Sequence, residues 1–201
     1  MRSTRVWLAC GGLSLVLLLG ACTPPPKPQA VATQSWSQRQ AHLQSLERWY
    51  FSGRLAVSVG EEGWQASFDW RQDHQDYQLR IMAPLGMGGV ELTGDASGVT
   101  LVFDDDQPPL HAERAENLLQ AMYGWSIPVD QLRYWLVGMP APGTQASIQL
   151  DQDNRLLDMQ VGQWQISYQR YGHYKDYQLP EKLTIKRPGY RLRLVISEWQ
   201  I

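Results

Sequence analysis

Between Phe51 and Phe103 apolar and polar residues alternate almost without a break. Leu55, Val57 and Val59 alternate with Arg54, Ala56 and Ser58, and Trp64, Ala66, Phe68 and Trp70 with Gln65, Ser67, Asp69 and Arg71. A period of two puts alternate residues on opposite faces, so each run predicts a strand with one buried side. Tyr77, Leu79 and Ile81 continue the pattern, then Val90 and Leu92, then Val99, Leu101 and Phe103. Glu61-Glu62-Gly63, Gln72-Asp73-His74-Gln75 and Asp95-Ala96-Ser97-Gly98 supply turns. Short strands joined by short turns predict an antiparallel meander that curls over its apolar face.

One turn breaks the rule that tips are polar. Met82-Ala83-Pro84-Leu85-Gly86-Met87-Gly88-Gly89 joins two of these strands and is greasy at Met82, Leu85 and Met87. Such a tip either folds back onto the core or protrudes as an apolar finger that touches lipid.

The period changes on either side of this run. Ser35 and Gln38 make a capping-box pattern, and Trp36, Leu43, Leu46 and Tyr50 fall on one helical stripe. Further on, Ala115, Leu118, Leu119 and Met122 are spaced as an amphipathic helix ending at Gly124. Pro128 suits the first position of another helix, with Leu132, Trp135 and Leu136 on one face and Gly138 past its end. Strands resume with Ile148 and Leu150, then Leu156 or Leu157 with Met159 and Val161, then Trp164, Ile166 and Tyr168. The last pair carries Leu183 and Ile185, then Leu192, Leu194 and Ile196, for a total of about ten strands and three helices.

The N-terminus sets the compartment. Arg2 and Arg5 precede an apolar run from Val6 to Leu19, which is too short for a spanning helix and reads as a secretory signal. The run ends in Leu19-Gly20-Ala21-Cys22, which resembles a bacterial lipobox whose cysteine is acylated after cleavage. Thr23, in place of Asp, fits sorting to the outer membrane. The expected domains are therefore a signal peptide at 1–21, a Pro-rich tether at 22–34 and a folded domain at 35–201. Pro24, Pro25, Pro26 and Pro28 favour polyproline II, which would span roughly 40 Å as far as Ser35.

Composition adds mostly exclusions. Cleavage takes Arg2 and Arg5 from 18 basic residues, leaving 16 against 20 acidic ones and a net charge of −4. That balance gives no footprint for nucleic acid. The two cysteines are Cys10, lost with the signal, and Cys22, so the mature chain has no disulfide. The acidic run Asp104-Asp105-Asp106 precedes Pro108-Pro109 and reads as a solvated loop, not a metal site. His42 has no partner at metal spacing. Asp69, Glu91 and Asp158 occupy polar phases of their strands, and no catalytic constellation emerges, so no enzyme activity, metal or cofactor is expected. Lys182, Lys186, Arg191 and Arg193 fall on the outward face of the last hairpin, either as an ordinary solvated face or as a dock for an acidic carrier protein. Nine Trp and nine Tyr fill a solid core or line an open apolar cavity.

The chain also resembles the LolB family of outer-membrane lipoprotein receptors over its whole length. The resemblance is carried by the lipobox, the Pro-rich stalk, the helix with Trp36 and His42, Gly53 opening the first strand, and the Pro84-Leu85-Gly86 loop. Its most specific part is Gly124-Trp125-Ser126-Ile127-Pro128 followed by Leu132, Trp135, Gly138 and Pro140. It implies a mainly β fold with α, an incomplete (half) antiparallel β-barrel of ten or eleven strands with a helical lid over an apolar cavity. It implies an acyl-chain lining of Phe68, Trp70, Leu79, Ile81, Leu92, Leu101, Ile166 and Tyr168, with Leu118, Met122 and Trp135 from the lid. It makes Pro84, Leu85 and Gly86 a membrane-insertion loop and Cys22 the lipid attachment on the periplasmic face of the outer membrane. The implied partners are a LolA-like periplasmic carrier, the acyl chains of cargo lipoproteins and outer-membrane lipid, met by a monomer without nucleotide. A glycolipid-binding or purely structural outer-membrane lipoprotein of the same fold is the alternative.

Overall fold

The computed structural model describes residues 34–86, 88–105, 107–124 and 126–201. The signal peptide, Cys22, nearly all of the tether, Met87, Asp106 and Trp125 lie outside the described residues.

Helix α1 (Trp36–Gln44) opens as expected: Ser35 Oγ accepts from the Gln38 N–H, and the Gln38 side chain answers the Ser35 N–H. It is shorter than the stripe predicted. Ser45 closes it, and Leu46 and Tyr50 lie beyond its end. The reason is that Trp49 and Phe51 alternate with Arg48 and Tyr50 and are claimed by the first strand. On α1 the buried residues are Leu43 and Arg39, whose guanidinium donates to the Gln178 carbonyl and lies over the Tyr171 ring. Burial lowers the Arg39 pKa. His42 stacks on Tyr177 with ring centroids 4.1 Å apart and stands 3.5 Å from the Asp176 carboxylate, so it is less free than a solvated histidine.

The described residues form eleven strands: β1 (Arg48–Val59), β2 (Glu62–Asp73), β3 (Asp76–Met82), β4 (Gly89–Asp95), β5 (Gly98–Phe103), β6 (Leu110–Ala112), β7 (Ser147–Leu150), β8 (Leu156–Val161), β9 (Trp164–Tyr174), β10 (Tyr177–Arg187) and β11 (Tyr190–Gln200). They form a single antiparallel sheet in the order β6-β5-β4-β3-β2-β1-β11-β10-β9-β8-β7. The first and last strands pair at its centre, with Leu55 opposite Leu194. Its two edges are joined by the segment holding α2 (Ala115–Tyr123) and α3 (Val129–Val137). A chain that runs from one edge to the other must cross the open side of a curled sheet, which is why both helices cover the apolar face. β6 has no alternation to betray it in the sequence; it is three residues held to β5 at the sheet edge.

Three residues stand at places other than those expected. Gln72 belongs to β2, not to the turn, and is buried because its side chain accepts from Trp70 Nε1 and donates to the His74 and Asp76 carbonyls. Gly53 does not open β1 but sits at the bulge opposite β11, where a Cβ would meet the Val195 carbonyl oxygen at 2.4 Å. Pro128 stands one place earlier than predicted, as the residue that caps α3, and Gly138 ends that helix in the left-handed conformation.

Candidate functional site

The sheet's inner face divides into a packed half and an open half. In the packed half, α3 lies on β8–β10: Trp135, Leu136, Met159, Ile166, Leu183 and Ile185 are fully or almost fully buried. Tyr168 donates its hydroxyl proton to the Trp135 carbonyl at 2.9 Å, and the Trp135 ring meets that of Trp164 in a tilted contact with centroids 5.9 Å apart. Aromatic rings fill the end of the sheet nearest the β2–β3 turn, with Trp49 and Trp70 centroids 5.9 Å apart, Phe51 and Trp199 5.1 Å, and Trp70 and Tyr77 5.6 Å. Gly94 makes room for this packing, since a Cβ there would meet the Tyr77 ring at 2.3 Å.

The open half holds a cavity of about 660 Å³. Strands β11, β1, β2, β3, β4 and β5 supply its floor through Leu192, Leu194, Leu55, Val57, Phe68, Leu79, Ile81, Val90, Leu92, Leu101 and Phe103. Leu119 of α2, then Ile127, Val129 and Leu132, close it from above. Trp64, Ala83, Pro84, Gly88, Asp104 and Asp105 ring its mouth. The volume falls within the ~300–1,000 Å³ usual for small-molecule sites. The lining is almost wholly apolar, aliphatic but for Phe68, Phe103, Trp64 and Gln65, and carries no charge below the mouth, so it favours hydrocarbon over any polar ligand.

Of the expected lining, Phe68, Leu79, Ile81, Leu92 and Leu101 are brought together here. Trp70, Leu118, Met122, Trp135, Ile166 and Tyr168 are not on its surface. Trp70, Trp135, Ile166 and Tyr168 belong to the packed half, and Leu118 and Met122 turn toward core neighbours. Leu55, Val57, Leu119, Ile127, Val129, Leu192 and Leu194 line it without having been singled out as lining. Most of these were readable as inward-facing. What the pattern lacks is any mark of which inward residues have a neighbour across the sheet and which face a void.

The greasy turn protrudes. Pro84–Gly86 form one turn of 3₁₀ helix, and the Ala83 N–H bonds to the Gly88 carbonyl at 3.0 Å to close the loop. Leu85 is 98 % exposed, and Met82 and Trp64 beside the mouth are 42 % and 43 % exposed. Leu85 also has φ 60° and ψ 23°, a left-handed conformation that costs a leucine on the order of 1 kcal/mol.

The other candidates on the outer face have ordinary partners. Tyr50 donates to Asp69, Arg80 pairs with Glu91 at 2.9 Å, and Ser167 donates to Asp158. Lys182, Lys186, Arg191 and Arg193 share the outer face of β10 and β11, opposite buried Leu183, Ile185, Leu192 and Leu194, and make no ion pair among the described residues. The described residues contain no cluster of metal-ligating side chains and no helix long and apolar enough to cross a membrane.

Comparison with known proteins places this architecture. The family model "Outer membrane lipoprotein LolB" matches residues 47–199. The outer-membrane lipoprotein LolB of Nitrosococcus oceani is 43 % identical over 192 residues, covering 94 % of each chain, and that of Aeromonas hydrophila is 35 % identical, covering 93 % of each. Among solved structures, a LolA superfamily protein from Nitrosomonas europaea shares the fold with a TM-score of 0.52 at 7 % identity, over 81 % of this chain and 93 % of that one. A putative outer membrane lipoprotein-sorting protein domain from Vibrio parahaemolyticus gives 0.52 at 10 % identity, over 82 % and 90 %. With an open half-barrel, a helical cover and these relatives along almost its entire length, the chain belongs to the family of the outer-membrane lipoprotein LolB.

Proposed function

We propose that this protein accepts the acyl chains of lipoproteins from a soluble periplasmic carrier of the LolA type and releases them into the outer membrane, acting as a monomer tethered through Cys22. The observation that carries the reading is the pairing of an aliphatic cavity of about 660 Å³ with an exposed, strained Leu85 at its mouth. The cavity takes hydrocarbon out of water, and burial at about 25 cal/mol per Å² makes transfer from a weaker carrier downhill without nucleotide. The loop offers a leucine to the headgroup–acyl boundary, where an apolar side chain is favoured and a charge is not. Pro84 fixes the entry to that loop, and Gly86 follows the leucine that it presents. The basic strip of Lys182, Lys186, Arg191 and Arg193 suits an acidic face on the carrier.

The test is transfer in two steps, from a lipoprotein-loaded carrier to this protein, then from this protein to vesicles. A glycolipid carrier of the same fold would bind lipid yet take nothing from the loaded carrier, and a structural anchor would bind neither.

A further inference from the structure

The two helices over the cavity are held very differently. α3 is rooted in the core through Leu132, Trp135 and Leu136, all buried. Of its described residues α2 buries only Ala115 and Leu118; it rests on β6, a three-residue edge strand, and ends at Gly124 in the left-handed conformation. Among the described residues, a single side-chain hydrogen bond runs from α2 to another element. Glu116 Oε1, in the first turn of α2, accepts from the Val129 N–H at 3.1 Å. Val129 is the first residue of α3, so this amide is one of the helix's unsatisfied donors, and Pro128 before it provides no side-chain cap. Arg114 Nε donates to Glu116 Oε2 at 3.2 Å and its Nη2 lies 3.8 Å from Asp130, so it draws the two N-termini together.

We infer that Glu116 is a clasp: its bond to the Val129 amide holds α2 shut over the cavity, and its release lets α2 and β6 swing about Gly124 to admit or discharge an acyl chain. The geometry suits that role. Leu119 is the α2 residue on the cavity, three positions after the clasp, so the helix carries its lining residue away when its N-terminus lifts. The opposite wall does not follow, because α3 is fixed by packing that does not involve Glu116. Glu116 is therefore a positioning residue for loading, and the gating part of this inference rests on the proposed acyl-chain reading of the cavity.

Two substitutions attack the clasp from opposite sides. Glu116→Ala removes the acceptor. Val129→Pro removes the donor and leaves the carboxylate in place, at a helix position where proline is tolerated. The full acylated protein is reconstituted in phosphatidylethanolamine–phosphatidylglycerol vesicles, and backbone hydrogen exchange is followed by mass spectrometry, beside the rate of loading from a lipoprotein-charged carrier. A charge-assisted bond of this kind shifts the opening equilibrium by about tenfold or more. Each variant should speed exchange across α2 and β6 by about that factor and leave α3, β1 and β2 unchanged. Loading should quicken in both variants, and the double variant should add little to either. Unchanged exchange in α2 in either variant overturns the clasp. Faster exchange with an unchanged loading rate overturns its role as a gate. A parent protein that does not load at all refutes the acyl-transfer reading instead, while the exchange data still decide on the clasp.

Discussion

Tyr168 donates its hydroxyl proton to the carbonyl of Trp135 across 2.9 Å, and this bond marks where the packed half of the fold begins. It joins β9 to the rooted helix α3 at a point with no access to water. Tyr168→Phe removes one of two donors to that carbonyl and leaves the Gly138 N–H at 3.1 Å, which costs about 0.5–1.5 kcal/mol. The expected result is a lower thermal midpoint with uptake of apolar ligands intact. Ile166→Asp, in the same half, should fail to fold, since it places a carboxylate among fully buried neighbours. A folded Ile166→Asp protein that had merely lost ligand would put this residue on the cavity after all.

Leu101→Asp tests the open half. Its side chain is buried in the protein but faces the cavity, so a carboxylate there meets the ligand and not a packed neighbour. The prediction is a folded protein, by near-ultraviolet circular dichroism, that no longer binds a fluorescent fatty-acid probe. Undiminished binding by such a protein would contradict the placement of the site.

The division between those halves is where reading the sequence stopped. Alternation identified Leu55, Val57, Ile166, Leu192 and Leu194 as inward alike, because period two reports the face of a strand and nothing of what lies opposite. Ile166 is fully buried in the half packed under α3, whereas Leu101 lines the cavity. That difference arises from how the helices cross the sheet, which local pattern does not encode. Caps and turns were legible because their chemistry is local: Ser35 with Gln38, Gly124 and Gly138 all terminate helices as their types demand. The length of α1 was not, since Leu46 and Tyr50 leave the helical stripe where Trp49 and Phe51 draw the chain into a strand whose partners are distant in sequence. The clasp at Glu116 was equally hidden, because its partner is a backbone amide that carries no sequence signal.

Alkaline pH should unfold the protein through its buried phenols. Burial pushes up Tyr77, Tyr168 and Tyr171, and burial followed by the bond to Glu181 raises Tyr174 to about 12. Unfolded tyrosines ionise near 10. A folded-state pKa above the unfolded one gives a contribution that is complete below pH ~10 and lost as the pH rises through the folded value. Phenolate absorbance from these four tyrosines should therefore appear only well above pH ~10, together with loss of near-ultraviolet dichroism. Ionisation of all four near pH 10 with the fold intact would contradict this.

The tether should be separable from the activity. Cys22→Ala is expected to release the domain from the membrane fraction without lowering its thermal midpoint, because the Pro-rich segment before Ser35 is not expected to contribute to the core. Loss of folding in that variant would show that the acylated end supports the domain.

The central claim is that the loop between β3 and β4 works on the membrane and not on the fold, and Leu85→Glu tests it most directly. If Leu85 belonged to the core, a polar or truncated side chain would cost ~2–5 kcal/mol, as large-to-small core changes do. For a residue 98 % exposed the cost should stay within about 0.5 kcal/mol. The measurement is the two-step transfer assay run beside a thermal melt. The account predicts an unchanged midpoint, normal acceptance from the loaded carrier and a stalled second step, so that loaded protein accumulates and cargo does not reach the vesicles. A lowered midpoint with lost acceptance, or normal release into vesicles, would contradict it.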